Sequence, residues 1–404
     1  MYRSLFMKFI TLIITICLLI FIEYKFEVID YLRFVNSAKT LKVDSGSDLI
    51  AYSPNGEMFA IAGGKRISSK INVNSYTQGY SQVEVRRVVD GSLVKSWKLF
   101  AAQSLAFSPD SSMIAAGSRG GKVSLWRISD GEMLYSFGDA SKYFTTQLLA
   151  FTPDGNNLVG LIFTSNSPSK VTIWDLANQT NRVLSGEFVS AALSADGETI
   201  AVGYRNQAID LYRLDDLTLV KQLEVNRKQF SLVFSPNGKQ IAFISHSPPA
   251  PPEDRYGRNI YVYNVKDSIL ANIFYHSTIF PENEESLKKI AISPDGRYLA
   301  ASYSRSTPSS FFVGAPRIVS DARFYGRIRV WRIEDGKQLS TFRGHKRRTT
   351  SIVFSPDSKF LVSTGWDGKV RFWKMPPRNY SWFWLFGATG LATLVYWQRA
   401  SLML

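Results

Sequence analysis

Along residues 103–137, "QSLAFSPDSSMIAAGSRGGKVSLWRISDGEMLYSF", short apolar runs alternate with polar turn residues. The runs are too short for helices and are bounded by Gly, Pro, Asp and Ser, so the stretch predicts four strands joined by tight turns. The same sequence of events recurs along the chain: an apolar run, Ser-Pro-Asp-Gly or a variant, a second apolar run, then a strand often ending in Trp. The variants are "YSPNG" (52–56), "FSPDS" (107–111), "FTPDG" (151–155), "LSADG" (193–197), "FSPNG" (234–238), "ISPDG" (292–296) and "FSPDS" (354–358). Measured from Ser53, Ser108, Thr152, Ser194, Ser235, Ser293 and Ser355, the spacings are 55, 44, 42, 41, 58 and 62 residues. A basic period of roughly 40–45 residues is that of a four-stranded propeller blade. One such blade cannot bury both faces, so neighbours must stack and the ring must close.

At this point the chain resembles the WD-repeat family of β-propellers, over roughly residues 39–375. The likeness is strongest in "GHKRRTTSIVFSPDSKFLVSTGWDGKVRFW" and clear at Trp126, Trp174 and Trp331. The first, fourth and fifth units depart from it, ending in "VEVRR", "IDLYR" and "IYVYN" with no Trp. The resemblance implies an all-β, seven-bladed propeller of four-stranded blades. It also implies a structural hydrogen-bond set of His345, Ser363, Asp367 and Trp373 in the seventh blade, with the histidine bridging the aspartate and the indole. His, Ser and Asp are the residue types of a hydrolase triad too, but the resemblance assigns them to architecture. It further implies an interaction scaffold without catalytic residues, metal or cofactor.

Strand parity divides the turns between two faces. With strands a to d in each blade, a–b and c–d turns share one face; b–c and d–a connections share the other. The Pro-Asp-Gly turns are a–b, and "VDGS", "SDGE" and "EDGK" are c–d. The extra length falls on the opposite face, in the b–c stretches 64–82, 246–258 and 304–326 and the d–a stretch 276–286. Insertions confined to one face mark a binding face. Glycine-rich "GSRGGK" (117–122) has no helix after it and reads as a b–c turn rather than a phosphate loop.

Charge follows the same division. The b–c and d–a face carries +13 of the chain's net +15, while Asp90, Asp110, Asp130, Asp154, Asp196, Asp215, Asp216 and Asp335 recur on the other. The candidate partner-binding residues are therefore Lys65, Arg66, Lys70, Arg305, Arg317, Arg323, Arg343, Lys346, Arg347 and Arg348, all read as loop residues. They suit an acidic protein surface or a polyanion. The seventh unit has strands a, b and c only, and "KTLKV" (39–43) is expected to supply its missing d strand.

Two uncharged runs lie outside this pattern. "FITLIITICLLIFI" (9–22) predicts a transmembrane anchor within residues 1–24, followed by a linker at 25–38, the propeller at 39–378 and a C-terminal hydrophobic segment at 379–404. No A-x-A-like cleavage site follows the first run closely, which disfavours a signal peptide. "SWFWLFGATGLATLVYW" (381–397) reads as a second span with aromatic residues at both ends, or as a helix packed on the protein or lying in the interface. Parity has both runs leave from the face opposite the basic loops. A short basic N-terminus stays in the cytoplasm as a rule, which puts the propeller on the extracytoplasmic side.

The only cysteine is Cys17 and the only histidines are His246, His276 and His345, so an intrachain disulfide is excluded and metal chemistry disfavoured. The leading reading is a non-catalytic, membrane-anchored scaffold. The alternatives are a propeller enzyme of the lactonase or quinoprotein kind, which the scarcity of histidine disfavours, and a nucleic-acid platform, which the basic charge allows but no aromatic-basic motif supports.

Overall fold

The computed structural model describes residues 37–43, 48–64, 80–138, 144–164, 168–204, 208–225, 230–246, 258–274, 285–305 and 326–376. The apolar runs 9–22 and 381–397 lie outside the described residues. So do Lys65, Arg66, Lys70, Arg317 and Arg323, and the side chain of Arg305. Among the described residues there is no helix, and hence none long and apolar enough to cross a membrane.

The described strands form seven antiparallel four-stranded sheets. Six are built from consecutive strands, spanning 49–100, 102–137, 144–186, 188–224, 230–274 and 285–345. The seventh combines Thr349–Phe354, Phe360–Gly365 and Lys369–Lys374 with Ser37–Lys42, which pairs antiparallel to Lys369–Lys374 as the outermost strand. The ring is thus closed by a strand from the other end of the chain. Alternating side chains pack each sheet against its neighbours. One core cluster joins Val43, Ile50, Phe59 and Ile61 to Val362, Val370 and Phe372, across the seam between blades seven and one.

Aromatic pairs join blades at four further seams. Trp126, Trp174 and Trp373 stack on Trp97, Phe137 and Phe342, with ring centroids 5.2, 5.4 and 4.9 Å apart. Trp331 meets Phe274 edge-on at 5.9 Å. In each pair the Trp lies on the third strand of one blade and its partner on the outermost strand of the preceding blade, so burying the indole also locks two blades together. Blades four and five lack the Trp and rely on aliphatic and tyrosine packing around Leu211, Leu223, Phe243, Tyr261 and Tyr263.

The Ser-Pro-Asp-Gly turns are more than tight corners. Ser108 is buried; its hydroxyl donates to Asp110 and its Oγ accepts the Met113 N–H at 2.9 Å. The same pattern recurs at Thr152, Ser194, Ser293 and Ser355, with Asn as acceptor at Ser53 and Ser235. Each hydroxyl therefore clamps the start of the second strand to the end of the first. Two turns place Ser where the others have Gly: Ser111 (φ 62°) and Ser358 (φ 58°). A left-handed non-glycine residue costs about 1–2 kcal/mol. Here the cost is offset, because Ser111 Oγ accepts the Asn55 N–H and Ser358 Oγ the Asp295 N–H of the neighbouring turn, both at 3.1 Å.

Carboxylates on this turn face are committed to local partners. Arg127 pairs with Asp130 and Glu132 at 2.7 Å, Arg332 with Asp335 at 2.8 Å and Arg213 with Asp216 at 3.3 Å. Three of the eight aspartates expected on this face are thus paired with arginines at the ends of third strands. Both chain ends leave from this same face: Ser37 pairs with Trp373, and Met375 N–H donates to Lys359 O in the adjacent turn at 2.7 Å.

Candidate functional site: the pinned basic loop of blade seven

The long connections join second to third strands in blades one, five and six, and the outermost strand of blade five to the innermost of blade six. All leave from the face opposite the chain ends. At that face the seam between blades six and seven is described in full.

Blade seven holds a buried polar chain. Trp373 Nε1–H donates to Ser363 Oγ at 2.9 Å, Ser363 Oγ lies 2.8 Å from His345 Nε2, and His345 Nδ1 lies 2.8 Å from Asp367 Oδ1. A neutral ring protonated on Nδ1 satisfies every member: the serine hydroxyl donates to Nε2 and the imidazole to the carboxylate. Ser363, not His345, meets the indole, which corrects the direct histidine–indole link expected above. Two ring nitrogens cannot reach three partners, and the small serine fits between the rings. Ser363 is fully buried and His345 is 2% exposed, so no substrate has a path to the hydroxyl. An added Cβ at Gly365 would lie 2.5 Å from His345 Nδ1, so the ring needs glycine beside it.

The tetrad also fixes the basic loop. Asp367 Oδ2 accepts the Lys346 backbone N–H at 3.1 Å. Arg347 O accepts from Gly326 N–H at 3.0 Å and Arg348 O from Trp366 N–H at 2.9 Å. Residues 346–348 are thus held by their backbone at three points. The Arg348 guanidinium sits 5.5 Å from the Trp366 ring centroid, a cation–π contact. Lys346 and Arg347 are exposed, and no side-chain bond ties either to another described residue. Burial raises the Asp367 carboxyl, but the His345 hydrogen bond, the Lys346 N–H and Arg371 together hold it below the usual carboxylate value. Arg371 lies 3.9 Å from that carboxylate and donates to Thr40 of the closing strand at 3.0 Å.

The expected loop residues divide. Lys346, Arg347 and Arg348 come together at one corner. Arg343 does not belong to the loop: it lies within the strand Gln338–His345, opposite Arg327, and is half-buried. Arg305 likewise ends the strand Tyr298–Arg305, paired with Glu285. Polar "RGH" continues the outermost strand of blade six because Gly326 pairs with His345. "GSRGGK" forms the expected turn, with Gly120 and Gly121 at positive φ between two strands. Trp366 and Arg371 were not anticipated; the aromatic beside Asp367 in "GWDGK" was the available signal. Among the described residues, no group of three His, Cys, Asp or Glu is placed to hold a metal.

The model of the WD domain, G-beta repeat, matches residues 100–127 and 336–374, the second stretch containing the tetrad and the pinned loop. The chain is a seven-bladed propeller carrying WD40 repeats. It is similar to the Protein LST8 homolog of Drosophila melanogaster, 31% identical over 123 residues, covering 29% of this chain and 31% of that protein. It is also similar to the WD repeat-containing protein WDS homolog of Arabidopsis thaliana, 21% identical over 275 residues, covering 67% of this chain and 46% of that protein. The small ribosomal subunit protein RACK1 of Caenorhabditis elegans is 26% identical over 121 residues, covering 26% and 35%. The chain thus spans about a third to a half of the length of these relatives.

Proposed function

We propose that this propeller is a non-catalytic scaffold, anchored to a membrane, that presents its basic, insertion-rich face to an acidic protein surface. The observation that carries the reading is the corner of Lys346 and Arg347: two exposed cations, without an ion-pair partner among the described residues, on a backbone fixed by three hydrogen bonds. A fixed backbone lowers the ordering cost of binding, and exposed cations steer an acidic partner. The scaffold role is consistent with relatives that are WD-repeat proteins, one of them named as a ribosomal subunit protein. The buried Ser363 and His345 support a role without hydrolysis. Anchoring rests on the uncharged runs 9–22 and 381–397. An extracytoplasmic propeller rests on the short basic N-terminus, and is tested by protease added to intact cells: a propeller that survives until the cells are lysed lies inside.

The basic corner is tested by Lys346→Glu with Arg347→Glu in the full chain. Both side chains are exposed, so the melting temperature should stay unchanged. Capture of partners from detergent-solubilised membranes should fall at low salt, and the two proteins should converge at high salt, where the Debye length shrinks to about 3 Å at 1 M. Equal recovery of the same partners at low salt would show that the corner takes no part in binding.

A further inference from the structure

Seven of the ten large apolar side chains exposed among the described residues lie on the face where the chain ends leave; Tyr80 and Phe100 lie at the opposite face and Val183 within an outermost strand. Val89, Leu93, Met133, Leu219, Val220 and Ile269 are 82, 50, 51, 54, 56 and 60% exposed. Every one lies in a turn between the third and outermost strands or in the first two residues of an outermost strand, in blades one, two, four and five. They form the outer rim of that face. Among the carboxylates beside them, Asp130 and Asp216 are paired with arginines, and Asp90 and Asp267 accept the backbone N–H groups of Ser92 and Ile269. Apolar side chains recurring at the same position of several blades on one face mark a docking surface.

What covers the rim follows from chain length. Pro376 is the last described residue, and the uncharged run begins at Ser381. The five intervening steps span at most roughly 18 Å even when fully extended. Wherever the run 381–397 enters a bilayer, the exit point at Pro376 on this face is held within that distance of it. The N-terminal run 9–22 joins the same face through Ser37.

We infer that the rim is a lipid-contacting surface: Val89, Leu93, Met133, Leu219, Val220 and Ile269 dip into the interfacial layer, seating the propeller with its basic corner pointed away from the bilayer. This rests on the membrane anchoring proposed above. Apolar side chains enter the headgroup–acyl boundary, while the Arg–Asp pairs remain at the wetter level. The occupant is the lipid surface itself rather than a second protein, because the chain leaves toward both uncharged runs from this face.

The test uses the full chain with Cys17→Ser, which removes its only cysteine. Single substitutions Val89→Cys, Val220→Cys, Ile269→Cys and, on the opposite face, Lys346→Cys carry an environment-sensitive fluorophore. The proteins are reconstituted into phosphatidylcholine vesicles with and without a shallow doxyl-labelled lipid. Flotation reads anchoring, and quenching reads the rim. Expected is flotation of all four, with blue-shifted emission and several-fold stronger quenching at the three rim positions than at Lys346→Cys. Flotation with rim quenching no greater than at Lys346→Cys would overturn the rim contact and leave anchoring intact. Absence of flotation would overturn both. Rim labels shielded only in native membranes, and unquenched in pure lipid, would assign the surface to a protein and overturn the inference.

Discussion

At Asp367 one carboxylate joins core and surface. It accepts from buried His345 Nδ1 and from the Lys346 N–H of the basic loop. Asp367→Ala leaves the buried His345 Nδ1–H without its acceptor, at a cost of about 1–3 kcal/mol, and frees the exposed Lys346 N–H. Thermal denaturation at neutral pH should show the variant destabilised by at least that much. The pH dependence has a definite sign. The carboxyl is held below its ordinary value despite burial, chiefly by His345, so its contribution is present above the unfolded value, near 3.9, and is lost as pH falls through the lower folded value. The gap between wild type and variant should therefore narrow in acid. A gap that stays constant from neutral pH to below pH 3 would show that the carboxylate charge contributes nothing. The four tetrad positions were legible through the resemblance to the WD-repeat family, whose motif residues they match. Their wiring was not, since the choice of Ser363 over His345 as the indole's partner depends on ring orientation in the packed blade.

At the scale of strands, apolar runs bounded by Gly, Pro and Asp marked nearly every element, because a strand of this ring needs only a short run and a turn at each end. The closing strand was legible for another reason: blade seven is one strand short, and Ser37–Lys42 is the only described strand outside the consecutive sheets. Two features escaped. Arg343 read as loop because Arg-Gly-His lacks alternation; cross-strand pairing with Gly326 and Arg327 extends the strand regardless. The pairs Trp97–Trp126 and Phe137–Trp174 escaped because their members belong to different blades, and contact across a seam leaves no local period. The turn serines were visible as a motif, yet their burial was not, since hydroxyls beside Pro-Asp-Gly read equally well as solvated loop.

At the scale of the molecule, ring closure and the proposed anchoring can be separated by truncation. Ser37–Lys42 completes blade seven, Arg371 reaches Thr40 across that pairing, and Val43 packs into the core at the seam. A deletion that stops at residue 24 removes the first uncharged run and leaves this strand whole. The truncated propeller should therefore stay folded, with the melting transition of the full chain. Membrane attachment then depends on 381–397 alone. Its 17 uncharged residues, at 1.5 Å per residue, reach roughly 25 Å as a helix, the short end of what crosses a hydrocarbon core of about 30 Å. In a spanning helix, Trp382, Phe383 and Trp384 at one end and Tyr396 and Trp397 at the other would supply interfacial anchoring that offsets the shortfall. Carbonate extraction of membranes carrying the 1–24 deletion should leave the protein in the pellet. Release of a folded, normally melting protein into the supernatant would show that 381–397 does not hold the membrane by itself, leaving residues 9–22 as the anchor that keeps the rim face against the bilayer.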